Sequence, residues 1–416
     1  MDKLVVTGPC KLEGDVRISR AKNAYLPILA ALPLIKGNVL LKSVPKLRDI
    51  ETMKQLLAHL GISHHETDQG TVFNTSDMTS HEATYELVKT MRASIFVLGP
   101  LLGRFGKAKV SLPGGCAIGA RPIDIHLVNL EKLGAKITLE GGYVYAEASE
   151  LIGTSLTLSF PSVGATENVM MAATLAKGET VIHNAAMEPE IEDLGNFLIA
   201  MGAKITGHGT STIRIQGVSE LVAGEYEAIG DRIEAVTYVC AALATKSHVK
   251  ITGVNPDHLD FVIKILKDAG AQIEVGPDFI DVRPSELRPL NIDTAPYPGF
   301  PTDAQAQIMA LMTNIKGASI ITENIFENRF MHVPELVRMG ADITLRGKSA
   351  FIEGGQPLSG APVMCTDLRA SAALVIAALT AKGKTDIQRV YHLERGYEGL
   401  DQKLSALGAN IERMKE

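Results

Sequence analysis

Charged side chains recur at one point of a repeating unit, where each of six apolar helices is predicted to begin. The residues at these points are Lys22, Asn23, Arg92, Ser162, Val163, Gly164, Asp231, Arg232, Asp303, Asp367 and Arg369. A helix start ordinarily needs only a capping Ser, Thr, Asp or Asn, and a cation there is opposed by the positive end of the helix dipole. Free N–H groups and arginines together bind phosphate and carboxylate groups. The pattern predicts a site for anionic small molecules, although any single cation could instead pair with a neighbouring carboxylate.

A second chemical feature is the Gly-rich segment PGGCAIGARPID, residues 113–124. It makes its repeat about four residues longer than the others, and loops that exceed their repeat tend to carry function. Cys116 lies near Arg121, and nearby cations favour the reactive thiolate. We therefore predict a lid whose Cys116 gives and takes a proton. The other cysteines, Cys10, Cys240 and Cys365, are interpreted as small buried residues with free thiols.

The helices and strands that position these residues are repeated six times along the 416-residue chain. In each copy an apolar helix, a strand, an amphipathic helix and further strands follow one another, with a period of about 70 residues. A glycine closes the amphipathic helix at Gly61, Gly134, Gly202, Gly270, Gly340 and Gly408. The apolar helix ends at Gly37, Gly106, Gly178, Ser247, Gly317 and Gly383. Two independent landmarks with one period predict a repeat architecture.

The first helix of each copy is apolar nearly all round, which is typical of a helix buried on every side. These segments are residues 25–35, 93–102, 165–176, 233–244, 304–315 and 370–381. The strands alternate polar and apolar residues, as half-exposed sheets do. We therefore predict an α/β protein of the inside-out barrel type, with buried helices and outer sheets.

Six copies exceed what one hydrophobic core usually holds, because cores stop growing at roughly 250–300 residues. We predict two domains of three repeats each: residues 21–229, which carry the Cys116 loop, and residues 1–20 together with 230–416. The amino terminus is assigned to the second domain because residues 6–14 parallel residues 352–360, a segment that the sixth copy lacks. The chain then crosses between the domains twice, and we expect the active site in the cleft that they form.

Composition excludes several classes of function. The formal net charge is −6 and no basic run is present, which argues against a nucleic-acid binder. No charged-then-apolar leader follows Met1, and the apolar stretches are interrupted well short of the ~20 residues that a membrane span needs. No His or carboxylate cluster has the spacing of metal ligands. We expect a monomeric cytoplasmic enzyme without metal or cofactor, which binds neither nucleic acid nor membrane.

Six motifs together resemble the enolpyruvyl transferase family, and the resemblance covers the whole chain. They are Lys22-Asn23, the loop at 113–124, SVGATEN at 162–168, FPTDAQAQ at 300–307, ENIFENRF at 323–330 and TDLRAS at 366–371. The loop with Cys116 is similar to members that act on UDP-N-acetylglucosamine, and the shikimate-pathway members lack it. The resemblance implies transfer of the enolpyruvyl group of phosphoenolpyruvate to the 3'-hydroxyl of UDP-N-acetylglucosamine with release of phosphate. That reaction is the first committed step of peptidoglycan synthesis.

The resemblance also implies a role for each residue. Lys22, Arg121 and Arg395 would hold the phosphate and carboxylate of phosphoenolpyruvate, with Arg329 and Arg369 nearby. Asp303 would be the base for the 3'-hydroxyl, Cys116 would protonate the methylene carbon, and Asp367 would orient a cation. The UDP-sugar site would be lined by Asn23, Arg92, Arg121, Pro122, Ile123, Asp124, Ile125, Ser162, Val163, Gly164 and Ile325.

Rival functions use the same residues differently. A shikimate-pathway-type enolpyruvyl transferase would share the fold without the Cys116 loop. A non-catalytic paralogue that binds UDP-sugar would not need Cys116 and Asp303 beside charged helix starts, and an RNA 3'-phosphate cyclase would need a basic groove that is lacking here. Two positions depart from some family members: Phe160 stands near a position where they carry Lys, and Tyr297 where they carry His.

Overall fold

The computed structural model describes residues 2–89, 91–112 and 123–415, without the side chain of Arg92. The described residues divide into two compact units. One unit comprises residues 2–19 and 230–415, and the other comprises the described residues between 20 and 229. We refer to them as the 230–415 unit and the 20–229 unit.

The α-helices of the described residues alternate between the buried and the amphipathic type. They are α1 (Lys22–Ala31), α2 (Arg48–His59), α3 (Tyr85–Val88), α4 (Leu98–Phe105), α5 (Asp124–Lys132), α6 (Val163–Ala173), α7 (Pro189–Ala200), α8 (Arg232–Ala244), α9 (Asp260–Asp268), α10 (Gln305–Met312), α11 (Val333–Arg338), α12 (Leu368–Thr380) and α13 (Leu400–Ala406). Short 3-10 helices lie at Leu32–Leu34, Arg92–Val97, Pro256–Leu259, Thr302–Ala304 and Val390–Arg395.

The 230–415 unit is built on three helices, α8, α10 and α12, which pack against one another. Every residue of α10 is buried, and so are all but the last residue of α8 and of α12. Three four-stranded sheets surround them: Asp2–Gly8 with Pro362–Met364, Gly383–Gln388 and Ile411–Lys415; Glu13–Arg17 with His248–Thr252, Gln272–Val275 and Phe279–Arg283; and Asn291–Asp293 with Gly317–Thr322, Asp342–Arg346 and Ser349–Gly354. Buried and exposed residues alternate along strands such as Ser349–Gly354, so one face of that sheet lies on the helices.

The amino-terminal strand belongs to the sheet of the sixth repeat. Asp2–Gly8 lies between Gly383–Gln388 and Ile411–Lys415 and pairs antiparallel with both. Leu4, for example, faces Ile387 on one side and Arg413 on the other. The first residues of the chain therefore complete a sheet whose other strands come from its end.

The 20–229 unit repeats this plan with α1, α4 and α6 at its centre. Its sheets are Asn38–Leu41 with Ser63–Thr67, Gly70–Asn74 and Glu225–Tyr226; Glu82–Ala83 with Lys107–Ser111, Lys136–Glu140 and Tyr143–Glu147; and Ser155–Thr157 with Glu179–His183, Lys204–Thr206 and Thr212–Gln216. A two-stranded pair, Ile35–Lys36 with Leu221–Val222, is added. In both units each four-stranded sheet has one parallel pair and two antiparallel pairs. The prediction of six repeats with buried helices and outer sheets is confirmed.

The glycine that ends each amphipathic helix has the same backbone conformation in all six repeats. Its φ is 97° at Gly61, 101° at Gly134, 101° at Gly202, 112° at Gly270, 98° at Gly340 and 97° at Gly408. Residues other than glycine rarely adopt this left-handed backbone conformation, so the turn requires glycine. The sequence landmark thus has a conformational cause.

Within the ranges given above, none of the helices combines the length and the apolar character needed to cross a bilayer.

Candidate functional site

Three of the predicted residues meet in the 230–415 unit. Asp303 lies in the 3-10 turn that leads into α10, and Arg369 lies in the first turn of α12. Arg369 donates through Nη2 to Oδ2 of Asp303 at 3.0 Å. Arg329, which precedes α11, donates through Nη2 to Oδ1 of the same carboxylate at 2.6 Å. The starts of two buried helices are therefore joined by a carboxylate that bridges two guanidinium groups.

The two arginines are buried, whereas the carboxylate between them is reachable from solvent. The side chains of Arg329 and Arg369 are 5% and 2% exposed, and that of Asp303 is 27% exposed. Burial by itself lowers the pKa of Arg369, but the carboxylate of Asp303, with help from Tyr397 and Asp231, raises it overall. Within the described residues, Nε and Nη1 of Arg369 have no hydrogen-bond partner. A buried cation with two unused donors at a helix start is suited to an anionic ligand.

A polar network connects this cluster to the third buried helix. The guanidinium of Arg369 lies 5.5 Å from the ring centroid of Tyr397. The hydroxyl of Tyr397 is 2.8 Å from Oγ1 of Thr237 in α8, and Nε2 of Gln307 in α10 donates to that hydroxyl at 3.3 Å. Tyr397 is 3% exposed. It therefore links the amino-terminal halves of α8, α10 and α12, and sequence reasoning missed it because no motif contains it.

Two aspartates at helix starts act as caps. Oδ1 of Asp367 accepts from the backbone N–H of Arg369 at 2.9 Å and of Ala370 at 3.0 Å. Oδ1 of Asp231 accepts in the same way from Ile233 and Glu234. Each carboxylate satisfies N–H groups that have no partner inside the helix, and its charge complements the helix dipole. Asp367 thus has a structural contact beside the predicted cation-orienting role.

His332 is the fully buried histidine next to this cluster. Neither ring nitrogen has a hydrogen-bond partner among the described residues. Burial lowers its pKa to about 4, opposed by Asp367 and assisted by Arg329. A neutral imidazole therefore lies beside the charged groups at neutral pH.

In the 20–229 unit, Lys22 begins α1 and forms an ion pair. Its Nζ lies 2.8 Å from Oδ2 of Asp49, in the first turn of α2, with side chains 12% and 6% exposed. The neighbouring Asn23 is half-buried. The sequence left open whether each cation binds an anionic ligand or pairs with a neighbouring carboxylate. In this structure Lys22, Arg329 and Arg369 each pair with a carboxylate.

The start of α6 is built from small and neutral groups. Oγ of Ser162 caps it by accepting from the backbone of Ala165 at 3.4 Å. A Cβ added to Gly164 would lie 2.8 Å from Cε1 of Phe96 and 3.2 Å from Cε1 of His126. The helix start is therefore in close contact with α5, which carries His126, and with the 3-10 turn that carries Phe96. Sequence reasoning missed both residues, because neither is part of the motifs that carry the family resemblance.

Buried Asn168 ties these elements together. Its Oδ1 accepts from the backbone of Gly99 at 2.6 Å, and its Nδ2 donates to the carbonyl of Ile95 at 2.9 Å. Nδ2 is also 3.1 Å from Nδ1 of His126. A single amide therefore positions α4, α5 and α6 around Gly164.

A buried carboxyl group also lies in α6. Glu167 is 1% exposed, and burial, with Glu190 and Glu188 nearby, raises its pKa well above the ordinary value. Burial therefore disfavours the charged form of this side chain.

The remaining predicted residues are distributed over both units. Ile123, Asp124 and Ile125 form the first turn of α5, where Asp124 is exposed and both isoleucines are half-buried. Val163 and Ile325 are half-buried, and Arg395 is half-buried at the end of the 3-10 helix Val390–Arg395. Cys116, Arg121, Pro122 and the side chain of Arg92 lie outside the described residues.

The two departures from the family pattern lie in different units. The ring centroid of Tyr297 is 5.7 Å from the guanidinium of Arg232, at the start of α8. Phe160 is 44% exposed just before α6. In the described ranges, His, Cys, Asp and Glu side chains form no group of three that could hold a metal ion.

Comparison with known proteins gives consistent results. The family model described as EPSP synthase (3-phosphoshikimate 1-carboxyvinyltransferase) matches residues 6–404. The chain is 55% identical over 417 residues to a UDP-N-acetylglucosamine 1-carboxyvinyltransferase of Thermodesulfovibrio yellowstonii, with all of both chains covered. It is equally similar, 55% over 418 residues, to the protein of that name from Trichlorobacter lovleyi, again with both chains fully covered.

Solved structures resemble the chain over its full length. The crystal structure of the enolpyruvyl transferase NikO from Streptomyces tendae matches with a TM-score of 0.90 at 25% identity, covering 100% of this chain and 99% of that one. EPSP synthase from Acinetobacter baumannii matches with a TM-score of 0.77 at 18% identity, with both chains fully covered. The second likeness concerns the fold alone.

Proposed function

The chain belongs to the UDP-N-acetylglucosamine 1-carboxyvinyltransferase family of enolpyruvyl transferases, and on that premise we propose that it carries out this reaction. It transfers the enolpyruvyl group of phosphoenolpyruvate to the 3'-hydroxyl of UDP-N-acetylglucosamine and releases phosphate. The observation that carries the proposal is the 55% identity to relatives of that name over the whole chain. The shikimate-type and non-catalytic alternatives are not favoured.

Asp303 is the proposed base for the 3'-hydroxyl. Its carboxylate is held by two guanidinium groups at 2.6 and 3.0 Å. The Asp303 side chain is nevertheless 27% exposed, so a substrate hydroxyl can reach it.

Arg329, Arg369, Arg395 and Lys22 are proposed to bind the phosphate and carboxylate of phosphoenolpyruvate. Arg369 supports this role best, because its guanidinium lies in the first turn of α12 and is bound to the carboxylate of Asp303.

The start of α6 and the first turn of α5 are proposed to bind the sugar nucleotide. The backbone of Val163 and Gly164 lies in the first turn of α6, where N–H groups have no partner inside the helix, and Gly164 brings that turn into close contact with Phe96 and His126. The first turn of α5, Ile123 to Ile125, together with Asn23, Arg92, Arg121, Pro122 and Ile325, completes the proposed set.

Cys116 is proposed to donate a proton to the methylene carbon of phosphoenolpyruvate, on the evidence of its sequence context. Addition of the 3'-hydroxyl to the adjacent carbon then gives a tetrahedral intermediate, and loss of a proton and of phosphate yields the enol ether. A lid that excludes water would protect this intermediate. Asp367 caps α12 by accepting from the backbone N–H of Arg369 and is proposed to orient a cation of the site.

The proposed biological role is the first committed step of peptidoglycan synthesis, and hence cell-wall formation, cell shape and cell division. Cys10, Cys240 and Cys365 are free thiols, which supports a reducing compartment such as the cytoplasm. The protein is proposed to act as a monomer, and its Cys116 would be the target of the epoxide antibiotic fosfomycin.

The test is release of inorganic phosphate from phosphoenolpyruvate by the purified chain. We expect release that depends on UDP-N-acetylglucosamine and that is accompanied by a sugar nucleotide heavier by one enolpyruvyl group. Shikimate 3-phosphate, the alternative acceptor, is expected to give no release. Turnover with shikimate 3-phosphate alone would transfer the assignment to the shikimate-type enzymes, and binding of UDP-sugar without turnover would favour the non-catalytic paralogue.

A further inference from the structure

Glu323 is a buried carboxylate that receives four hydrogen bonds from two separate segments of the 230–415 unit. Oε1 accepts from Oγ1 of Thr294 at 2.8 Å and from the backbone N–H of Ile325 at 2.8 Å and of Phe326 at 3.2 Å. Oε2 accepts from Oγ1 of Thr302 at 2.9 Å. Glu323 is 4% exposed. A buried charge is tolerated only where hydrogen bonds replace water, and here they do.

The two segments held by Glu323 carry proposed active-site residues. Thr302 is adjacent in sequence to Asp303, so its bond to Glu323 fixes the 3-10 turn on which the carboxylate of Asp303 is mounted. Ile325 is a proposed contact of the sugar nucleotide. The Phe326 ring centroid lies 5.5 Å from the guanidinium of Arg329.

These contacts close into a ring. Glu323 binds Thr302, the next residue Asp303 binds Arg329, Arg329 lies against Phe326, and the backbone of Phe326 returns to Glu323. In a closed ring the position of each member is set from both sides. The distance between Asp303 and Arg329 therefore depends on a carboxylate that contacts neither of them.

We propose that Glu323 is a positioning residue for the transfer reaction: it sets the geometry of Asp303 and Arg329 toward the substrates without touching the reacting atoms. This inference rests on the proposed function, because it assigns Asp303 and Arg329 their roles in that reaction. Holding a base in place matters for rate, since a misplacement of about 1 Å can cost roughly 10²-fold.

Three variants test the inference in steady-state assays with phosphoenolpyruvate and UDP-N-acetylglucosamine. Glu323→Ala removes all four hydrogen bonds, and kcat is expected to fall about 10²-fold. Glu323→Gln keeps one acceptor oxygen for the backbone N–H groups, and the hydroxyl of Thr302 can turn to accept from the new amide. It is therefore expected to recover much of the lost kcat. Thr302→Val removes only the bond on the Asp303 side and is expected to lower kcat about tenfold, the effect of losing one hydrogen bond to a charged group.

Thr75→Val is the matched control. Thr75 is a fully buried residue of the 20–229 unit whose hydroxyl donates to the carbonyl of Ile35 at 2.6 Å and accepts from the N–H of Gly37 at 3.1 Å. Its loss removes a buried side-chain-to-backbone connection and lowers the melting temperature. The control is expected to leave kcat unchanged, so it measures what lost stability alone does.

The outcomes separate this inference from the proposed function. A low kcat in Glu323→Ala and Thr302→Val, with partial recovery in Glu323→Gln and an unchanged Thr75→Val, supports the positioning role. If wild type turns over but Thr302→Val and Glu323→Gln match Thr75→Val in kcat while Glu323→Ala does not fold, Glu323 is structural only and the inference is wrong. The inference is equally wrong if folded Glu323→Ala keeps the wild-type kcat. A wild-type chain that releases no phosphate would instead contradict the proposed function.

Discussion

The two units use one backbone plan to present two different kinds of helix start. In the 230–415 unit, the starts of α10 and α12 are joined by ion pairs from Asp303 to Arg329 and Arg369. In the 20–229 unit, the start of α6 is capped by Ser162 and contacts Phe96 and His126, and Lys22 at the start of α1 pairs with Asp49. A repeat thus fixes where side chains are placed and leaves their chemistry free to diverge. We infer that the joined starts of α10 and α12 serve the reaction and that the start of α6 serves recognition of the sugar nucleotide.

The largest effect is expected for Asp303→Asn. The change removes the proposed base and leaves two buried arginines without their carboxylate, so kcat is expected to fall about 10³-fold, within the range for loss of a general base. The measurement is phosphate release at saturating substrates. Asp281→Asn is the control, because Asp281 is also bound by two side chains, His248 at 2.9 Å and Arg283 at 3.1 Å, but lies on the strand Phe279–Arg283, away from the helix starts. Equal losses in both variants would contradict a special role for the charged helix starts.

Cys116→Ala tests whether the Gly-rich segment at 113–124 contributes chemistry. We expect phosphate release to fall roughly 10²-fold or more, as for loss of a general acid, while UDP-sugar binding by calorimetry stays close to wild type. Cys116→Asp retains a proton donor but is a poorer nucleophile, so it is expected to remain active and to resist fosfomycin. Full activity of Cys116→Ala would contradict the proton-donor role and leave Asp303 as the proposed acid–base residue.

Gly164→Ala is expected to affect binding more than rate. The added methyl group meets the ends of the Phe96 and His126 side chains at 2.8 and 3.2 Å, and overpacking of this kind costs about 1–3 kcal/mol. We expect the Kd for UDP-N-acetylglucosamine to rise about tenfold with little change in kcat. In Gly99→Ala, by contrast, the methyl group meets the backbone oxygen of Asn168 at 2.3 Å, so the loss is expected in the melting temperature. A fall in kcat for Gly164→Ala with unchanged Kd would reverse the assigned roles.

The smallest effect is a pH dependence of stability that differs between the units. The pKa of His332 is about 4 in the folded chain, below that of an unfolded His, so the unfolded state binds more protons between pH ~4 and ~6.5. The stability that neutral His332 contributes is present above pH ~6.5 and is lost as the pH falls from ~6.5 to ~4. His332→Met is expected to lose less stability than wild type on acidification from pH 7 to 5, measured by urea unfolding.

The pH dependence of stability that Asp193 of the 20–229 unit contributes has the opposite sign. Burial raises its pKa to about 7, partly offset by a hydrogen bond from Tyr226. Its neutral form is favoured in the folded state, so this contribution is lost as the pH rises toward and through 7. Asp193→Asn is expected to reduce the loss of stability as the pH rises from ~4 to 7, and identical pH profiles for wild type and both variants would contradict the assignment.

The repeat architecture could be predicted from sequence because its causes are local. The positive φ after each amphipathic helix requires glycine at Gly61 and its equivalents, and helices buried on all sides have few polar residues. The motifs also identified Asp303, Arg329 and Arg369. Their mutual contact was not predicted, because it joins side chains 26 and 66 residues apart. Tyr397 and the bonds of Glu323 were missed for the same reason, since a polar contact between distant segments leaves no periodic pattern.

The strand Asp2–Gly8 has a consequence for biosynthesis. It is made long before its neighbours Gly383–Gln388 and Ile411–Lys415. At roughly 5–20 residues per second, it waits for tens of seconds with both hydrogen-bonding edges open. The 20–229 unit can fold during translation, whereas the other unit can complete its sheets only after residues 383–415 have been made. Nascent chains stalled before residue 383 are therefore the stage at which chaperones, or aggregation through the open strand, would act.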